Sequence, residues 1–375
     1  MNKEYDMDAY FGELKYMVYF YDALIKQNGI KKDSLFDDLG IAYMSYCRVK
    51  DSDTMTGRMI ISKLEKKFNI SPLCVNKKKE YENIVNKVLL GVYYREENIG
   101  KYKIELISLV EENNYLQPIF KLLLLLVNLM EAKKIERVIV ENKKLYEELK
   151  VFSSKFFITP FLEIFYMIEI FFNGNKVHKE VTFNGHMKGL LYIFYCIKSY
   201  LNKNFDLCLY YSQECKHYLS EDCNYQQMLF INLLYFGSLN IIGEYEKCMK
   251  ESKKQLNYLV ECNKDNELIN ETRLHYFTSC IGAKEYKVVI DSLVNKNHYA
   301  FNEYILLPLS SFDQDRILFQ SFVDRFNKEI CDFNDNEDIT IIVDYLLSNN
   351  RCDSKIKIRD SNLNVGLKEL LFKFY

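Results

Sequence analysis

The chain has 375 residues, with 50 Lys+Arg set against 52 Asp+Glu for a net charge of −2. A composition of 49% hydrophobic and 27% charged residues excludes wholesale disorder, and the near-neutral balance excludes a chain-wide nucleic-acid footprint while allowing a local one. Only 13 glycines and 4 prolines are present, too few to turn the chain through a sandwich, barrel or doubly wound sheet of this length, so an all-α fold is predicted.

Eleven cysteines run from Cys47 to Cys352 with no C-x-x-C pair, and an odd, scattered set predicts reduced thiols in a cytoplasm rather than a disulfide framework. Lys3, Glu4, Asp6 and Asp8 interrupt any apolar signal segment at the start. Leu122 to Met130 is apolar but about half the ~20 residues a membrane span needs, and Pro160, Glu163 and Glu169 break up Phe156 to Phe172. Both stretches are expected in a protein core, with no membrane association.

In chain order, a first helix is predicted over Met17 to Gln27, ending at Asn28-Gly29. A short helix follows with Asp33 or Ser34 near its start and Leu35 and Leu39 on one face; Gly40 then supplies the positive φ of a sharp turn. A third helix begins near Ala42, with Tyr46 and Val49 inward and Tyr43, Ser45, Arg48 and Lys50 outward. A fourth, roughly Thr56 to Asn69, buries Ile60, Ile61, Leu64 and Phe68. This order is that of a helix-turn-helix unit. From Lys26 to Glu80 the chain carries twelve basic and seven acidic residues, a local excess suited to phosphate. The segments Leu39-Gly40-Ile41 and Tyr46-Cys47-Arg48-Val49-Lys50 resemble the turn and recognition helix of phage-repressor-type regulators, with Lys50 where that family usually has Glu. Residues 1–70 are accordingly expected to be a DNA-binding domain using Tyr43, Ser45, Arg48, Lys50 and Arg58, followed by a linker over 71–84 that holds the run Lys77-Lys78-Lys79.

An internal repeat comes next. Tyr195 recurs as Tyr235 and Tyr276, at spacings of 40 and 41. Ten residues after each stands Phe205, Tyr245 or Tyr286, and three later Cys208, Cys248 or Val289; Ser212 and Ser252 extend two copies, and weaker echoes lie at Tyr102, Ile135 and Lys176. The period resembles degenerate tetratricopeptide-like helical hairpins and predicts a stacked solenoid over 85–304. Pro308 breaks the pattern, and helices resume near Asp315 to Ile330 and Ile339 to Leu347. Residues 305–375 are expected to form a helical cap whose last segment, Val365 to Tyr375, carries Leu367, Leu370, Leu371 and Phe374 at helical spacing. Such an end either caps the neighbouring repeat or pairs with its copy in a homodimer.

Catalytic signatures are missing: no G-x-x-x-x-G-K, G-x-G-x-x-G or H-E-x-x-H occurs. His178, His186, His217, His275 and His298 have no ligand spacing with the cysteines, and Glu163 and Glu169, six apart, do not face each other as an acid–base pair. Cys208, Cys215 and Cys223 read as small core residues. Neither an enzyme nor any metal or other cofactor is expected.

A helix-turn-helix followed by a tetratricopeptide-like array and a C-terminal cap resembles the RRNPP group, the peptide-pheromone-responsive regulators of Gram-positive bacteria and their phages. The strip NYQQMLFINLLYFGSLNIIGEYEKC and the Leu-rich end resemble its AimR-type arbitrium receptors, which control lysis and lysogeny. The resemblance implies a homodimeric transcription regulator that binds double-stranded operator DNA and is switched by a short signalling peptide. Amides and guanidinium groups on the inner helices suit a peptide backbone, which nominates Lys198, Asn202, Gln227, Asn232, Ser238, Asn240 and Arg273. Gln227 and Ser238 match peptide-binding positions of those receptors, where Arg and Asn are expected. The alternative is an array that binds or inhibits a protein partner under peptide control, without DNA binding.

Overall fold

The structure, a computed structural model, describes residues 7–51, 53–96, 99–131, 135–173, 186–262, 266–293, 309–312 and 314–329, with Leu306, Ile341, Ile342, Tyr345, Leu346, Ile358, Arg359, Lys368, Leu371 and Phe372. The named elements among these are helices: α1 Asp8–Gly12, α2 Leu14–Gln27, α3 Lys32–Asp38, α4 Tyr43–Arg48, α5 Met55–Phe68, α6 Lys78–Tyr94, α7 Lys101–Glu111, α8 Gln117–Glu131, α9 Ile135–Glu141, α10 Lys143–Phe152, α11 Phe161–Asn173, α12 His186–Leu201, α13 Phe205–Glu221, α14 Tyr225–Ile242, α15 Tyr245–Glu261, α16 Asn266–Gly282, α17 Tyr286–Leu293 and α18 Arg316–Glu329, with a 3₁₀ turn at Val75–Lys77. Extended backbone pairs only at Ser71 and Asn114 among the described residues. The chain is all-α, and no described helix is long and apolar enough to cross a membrane.

Two compact units divide the chain between Phe194 and Tyr195, inside α12. In the first unit, aromatic packing ties the N-terminal helices to residues far along the chain. Phe20 stacks on Phe152 at 5.8 Å, and Tyr10 meets the rings of Phe156 and Phe161. The Tyr10 hydroxyl donates to the Phe156 carbonyl at 2.9 Å, while its own carbonyl accepts from Tyr115. Leu122, Leu123, Leu125 and Leu126 on α8 are all inaccessible to solvent, so the apolar stretch is a helix surrounded by protein. The stretch assigned to a linker is only in part a connection, because residues from Lys78 onward already lie in α6 and Tyr81 is fully buried.

The first four predicted helices are found as α2, α3, α4 and α5. Gly29 and Gly40 sit at φ +64° and +60°, where the chain must reverse without a Cβ. Thr54 caps α5 by accepting from the Gly57 amide at 3.1 Å, and Asn69 ends it in the left-handed region. Phe68 is half-buried rather than buried.

In the second unit the sequence repeat has a backbone counterpart. Lys203, Gly243 and Lys284 all adopt positive φ, at 59°, 94° and 64°. The amide after each, of Asn204, Glu244 and Glu285, reaches back to the carbonyl of Ser199, Leu239 and Cys280 at 2.9, 2.9 and 2.8 Å. Phe205, Tyr245 and Tyr286 then open α13, α15 and α17. Tyr195, Tyr235 and Tyr276 are buried, as are Cys208, Cys248 and Val289. Cys208 and Cys248 point at the preceding helix, the thiol of Cys196 lying 3.5 Å from that of Cys208 and the Phe236 carbonyl 3.5 Å from that of Cys248. These thiols fill narrow gaps between helices that a larger side chain would force apart.

At the C-terminal end, Leu371 is fully buried with Ile342, Tyr345, Leu346 and Ile358 in one cluster that also holds Leu293 and Phe319. Leu371 therefore packs into its own chain. Leu367, Leu370 and Phe374, and likewise His178, His298 and Pro308, lie outside the described residues.

Gly243 and Gly282 carry the hairpins. A Cβ on Gly243 would strain a backbone at φ +94°, and a Cβ on Gly282 would enter the ring of Tyr245. Gly243→Ala is expected to cost about 1 kcal/mol. Gly282→Ala should cost roughly 1–3 kcal/mol through overpacking. Urea midpoints against wild type measure both, and unchanged midpoints would refute the turn and the close approach respectively.

Candidate functional site

The second unit holds a cavity of about 640 Å³ between α13, α14 and α15. Lys216 enters it from α13. Tyr225, Met228, Leu229, Asn232 and Phe236 line it from α14, and Lys247, Lys250, Glu251, Lys254, Gln255 and Tyr258 from α15. The α15 contribution follows from helical spacing, since residues 247, 250, 251, 254 and 258 share one stripe. The opposite face of α15 carries the buried Cys248, Ser252 and Leu259.

Charge dominates this lining. Four lysines face one carboxylate, and none of the four ammonium groups is ion-paired with a described carboxylate. The Tyr235 hydroxyl lies 3.4 Å from Glu251. Lys216 stands over the Tyr235 ring at 3.9 Å from its centre, and desolvation by burial lowers its pKa below the usual lysine value. Lys247 shifts the other way, held charged chiefly by its hydrogen bond with Tyr235. Side-chain amides form the rest of the polar wall. Asn232 donates to Gln255 Oε1 at 2.7 Å, and Gln255 donates onward to Thr272 Oγ1 at 3.1 Å. The Oδ1 atom of Asn232 is buried with no hydrogen-bond donor facing it. The arrangement presents positive charge, a hydrogen-bonded amide pair and an apolar floor of Met228, Leu229 and Phe236.

Of the seven residues nominated from sequence for peptide contact, only Asn232 lines this cavity. Gln227 and Ser238 are fully buried on α14, and Ser238 donates to the Leu234 carbonyl at 2.9 Å. Asn240 is buried against α16, donating to the His275 carbonyl at 3.2 Å. These three lie on the faces of α14 that pack against its neighbours, and so are interior residues instead of groove residues. Lys198 is half-buried on α12, Asn202 is exposed just after it, and Arg273 reaches Asn270 at 3.3 Å. Sequence reasoning missed Lys216, Lys247, Lys250, Lys254, Tyr225 and Tyr258, although the α15 members form a visible stripe of spacing 3 and 4.

In the first unit, the α3–α4 surface places the nominated DNA contacts unevenly. Tyr43 and Arg48 are exposed, Ser45 is half-buried, and Tyr46 and Val49 point inward. Lys50 departs from the expected outward position. Its ammonium lies 3.0 Å from Asp22 and over the Tyr19 ring, because Asp22 on α2 also gathers Lys32 at 2.6 Å and the Tyr46 hydroxyl at 3.1 Å. Burial would raise the Asp22 carboxyl, but hydrogen bonds from Lys32 and Lys50 outweigh it and hold the group below its ordinary value. Arg58 is exposed yet paired with Asp53 at 2.6 Å. Lys77 and Lys78 are paired with Glu112 and Asp8. Lys63 donates to the Leu39 carbonyl at 2.8 Å. The local excess of basic residues is thus reduced at the surface to Lys26, Lys31, Arg48, Lys63, Lys66, Lys67 and Lys79.

The two carboxylates of α11 do not form an acid–base pair. Glu169 accepts from the Tyr146 hydroxyl at 3.1 Å and from Asn173 at 3.0 Å, whereas burial pushes the Glu163 carboxyl up to about 7.

No protein-family model, curated protein or solved structure matches this chain.

Two measurements follow from these groups. Asp22→Asn should lower stability by about 1–3 kcal/mol by releasing two ammonium groups and a hydroxyl, and Lys50→Ala should also destabilise, whereas Arg48→Ala should not; equal melting temperatures for all three would refute the Asp22 hub. Glu163 binds its proton more tightly folded than unfolded, so its burial favours folding at acid pH and opposes it as pH rises through 4.5 towards about 7. Glu163→Gln should therefore raise the melting temperature at pH 8 by a few degrees and much less at pH 5, and a gain independent of pH would refute the assignment.

Proposed function

We propose that this chain is a peptide-responsive DNA-binding transcription regulator. In this reading α2–α5 act as a helix-turn-helix unit on operator DNA, the hairpins of 40 and 41 residues act as a tetratricopeptide-like peptide receptor, and the chain works as a cytoplasmic homodimer of RRNPP type, most like an arbitrium receptor. The observation that carries it is the cavity on the repeated hairpins, whose lysines, side-chain amides and apolar floor supply the three kinds of contact a short peptide needs. Exposed Tyr43 and Arg48 on α4, with unpaired Lys26, Lys31, Lys66 and Lys67 nearby in sequence, support the DNA-binding half. A peptide that binds one arrangement of the hairpins more tightly than another would shift the population towards it, and a dimer's half-site spacing would convert that shift into operator affinity.

One observation favours a second reading. Met44, Met55 and Met59 are 63%, 82% and 60% exposed, and flexible thioethers at a surface suit contact with a protein. In that reading the N-terminal helices hold a protein partner and the array still responds to peptide.

Gel-shift titration with DNA from upstream of the gene separates the two. Replacing Tyr43 and Arg48 with Ala, and leaving Lys50 in place, should weaken operator binding by about tenfold or more. The same change should flatten the salt dependence by roughly one unit of slope, since one fewer phosphate is neutralised. Replacing Met44, Met55 and Met59 with Ser should leave the affinity unchanged. The DNA-binding assignment fails if the Tyr43/Arg48 variant binds as wild type does, and the second reading gains if only the methionine variant loses its partner.

A further inference from the structure

The lining of the α13–α15 cavity restricts the ligand to a narrower class than "short peptide". At about 640 Å³ the cavity lies in the range that encloses a drug-sized molecule or a few residues of extended chain. Four ammonium groups line it beside the single carboxylate of Glu251, with no ion pair among the described residues, and the surplus of like charge repels until an anion joins it. Lys216 is partly desolvated above Tyr235, so an anion there is screened less than one at an open surface. These facts call for negative charge, which a carboxylate or a phosphate could equally supply.

The uncharged part of the lining decides between them. Asn232 and Gln255 hold each other in the polar wall, Asn232 donating to Gln255 Oε1 at 2.7 Å. Inorganic phosphate has nothing to place on an apolar surface and suits the lysines alone, whereas a peptide brings a carboxylate and apolar side chains on one chain. The apolar floor of Met228, Leu229 and Phe236, and the exposed rings of Tyr225 and Tyr258, add places for a hydrophobic side chain.

Resting on the peptide-receptor reading, we infer that the ligand is an acidic peptide. An Asp or Glu side chain, or the C-terminal carboxylate, sits among Lys216, Lys247, Lys250 and Lys254, and a neighbouring apolar side chain lies on the floor.

Affinity selection from an equimolar random hexapeptide library on the immobilised full-length chain tests this. A triple variant, Lys247→Gln with Lys250→Gln and Lys254→Gln, serves as comparison, and since all three lysines are exposed on α15 its fold is checked simply by circular dichroism. Selected peptides should be enriched in Asp and Glu, and their affinity should fall about tenfold or more in the triple variant and with added salt. Enrichment of neutral or basic peptides, or equal binding by the triple variant, overturns the acidic specificity and leaves the peptide reading standing. No enrichment over an unrelated control protein, together with thermal protection by inorganic phosphate, overturns both.

Discussion

A single backbone device governs the second unit: a residue held at positive φ, followed by an amide that reaches back five residues into the preceding helix. It stands at Lys203, Gly243 and Lys284, where it fixes the starts of α13, α15 and α17, and again at Cys223 ahead of α14. Because the interval is nearly constant, Cys208 and Cys248 arrive opposite equivalent positions of the preceding helices, and the small thiols let those helices close up. The same register sets the outer stripe of α15 beside Lys216 of α13. The cavity is therefore a by-product of hairpin geometry, and its chemistry depends on which residues the stripe carries. Three of these four turns use lysine or cysteine where glycine would be least strained, so the device tolerates a cost of about 1 kcal/mol per turn.

Lysine plays opposite parts in the two units. Around Asp22, cations are consumed: Lys32 and Lys50 neutralise one half-buried carboxylate and fasten α3 and the end of α4 to α2. Around Tyr235, Lys216 and Lys247 form no ion pair among the described residues and are steadied by a ring face, a hydroxyl and the nearby charge of Glu251. Pairing converts charge into structure; its absence leaves charge available for a ligand. A count of basic residues along the sequence does not distinguish these cases, which is why the excess between Lys26 and Glu80 overstated the positive surface.

Local signals were legible in the sequence. Gly29, Gly40 and the periodic residues Ile60, Ile61 and Leu64 place α2, α3 and α5 within a few residues, and the Tyr195, Tyr235 and Tyr276 period marks the hairpins. Long-range packing was not legible. Nothing near Tyr10 or Phe20 announces that their partners are Phe152, Phe156 and Phe161, and that packing joins the N-terminal helices to the rest of the first unit. Polar residues on α14 misled for a related reason: Gln227, Ser238 and Asn240 look like groove residues in a sequence whose apolar faces are not separable. With packing against α13, α15 and α16, that helix has little free surface, so polarity there reports interior hydrogen bonds. Lys247, Lys250 and Lys254 form a readable stripe, but only the folded hairpins bring Lys216 and Asn232 to it.

The enclosure of α14 also sets how the unit breathes. A helix held on three sides exposes its amides only when α13 and α15 both come away, an opening that approaches unfolding of the unit. Its backbone protons should thus be among the slowest in the chain to exchange with deuterated water. The lysine stripe of α15 belongs to a helix with a solvent-facing side, where partial openings are cheaper. The cavity consequently has one wall on a helix enclosed by its neighbours and another on a helix with a side open to solvent, so a ligand meets the interior of the unit on α14 and its surface on α15.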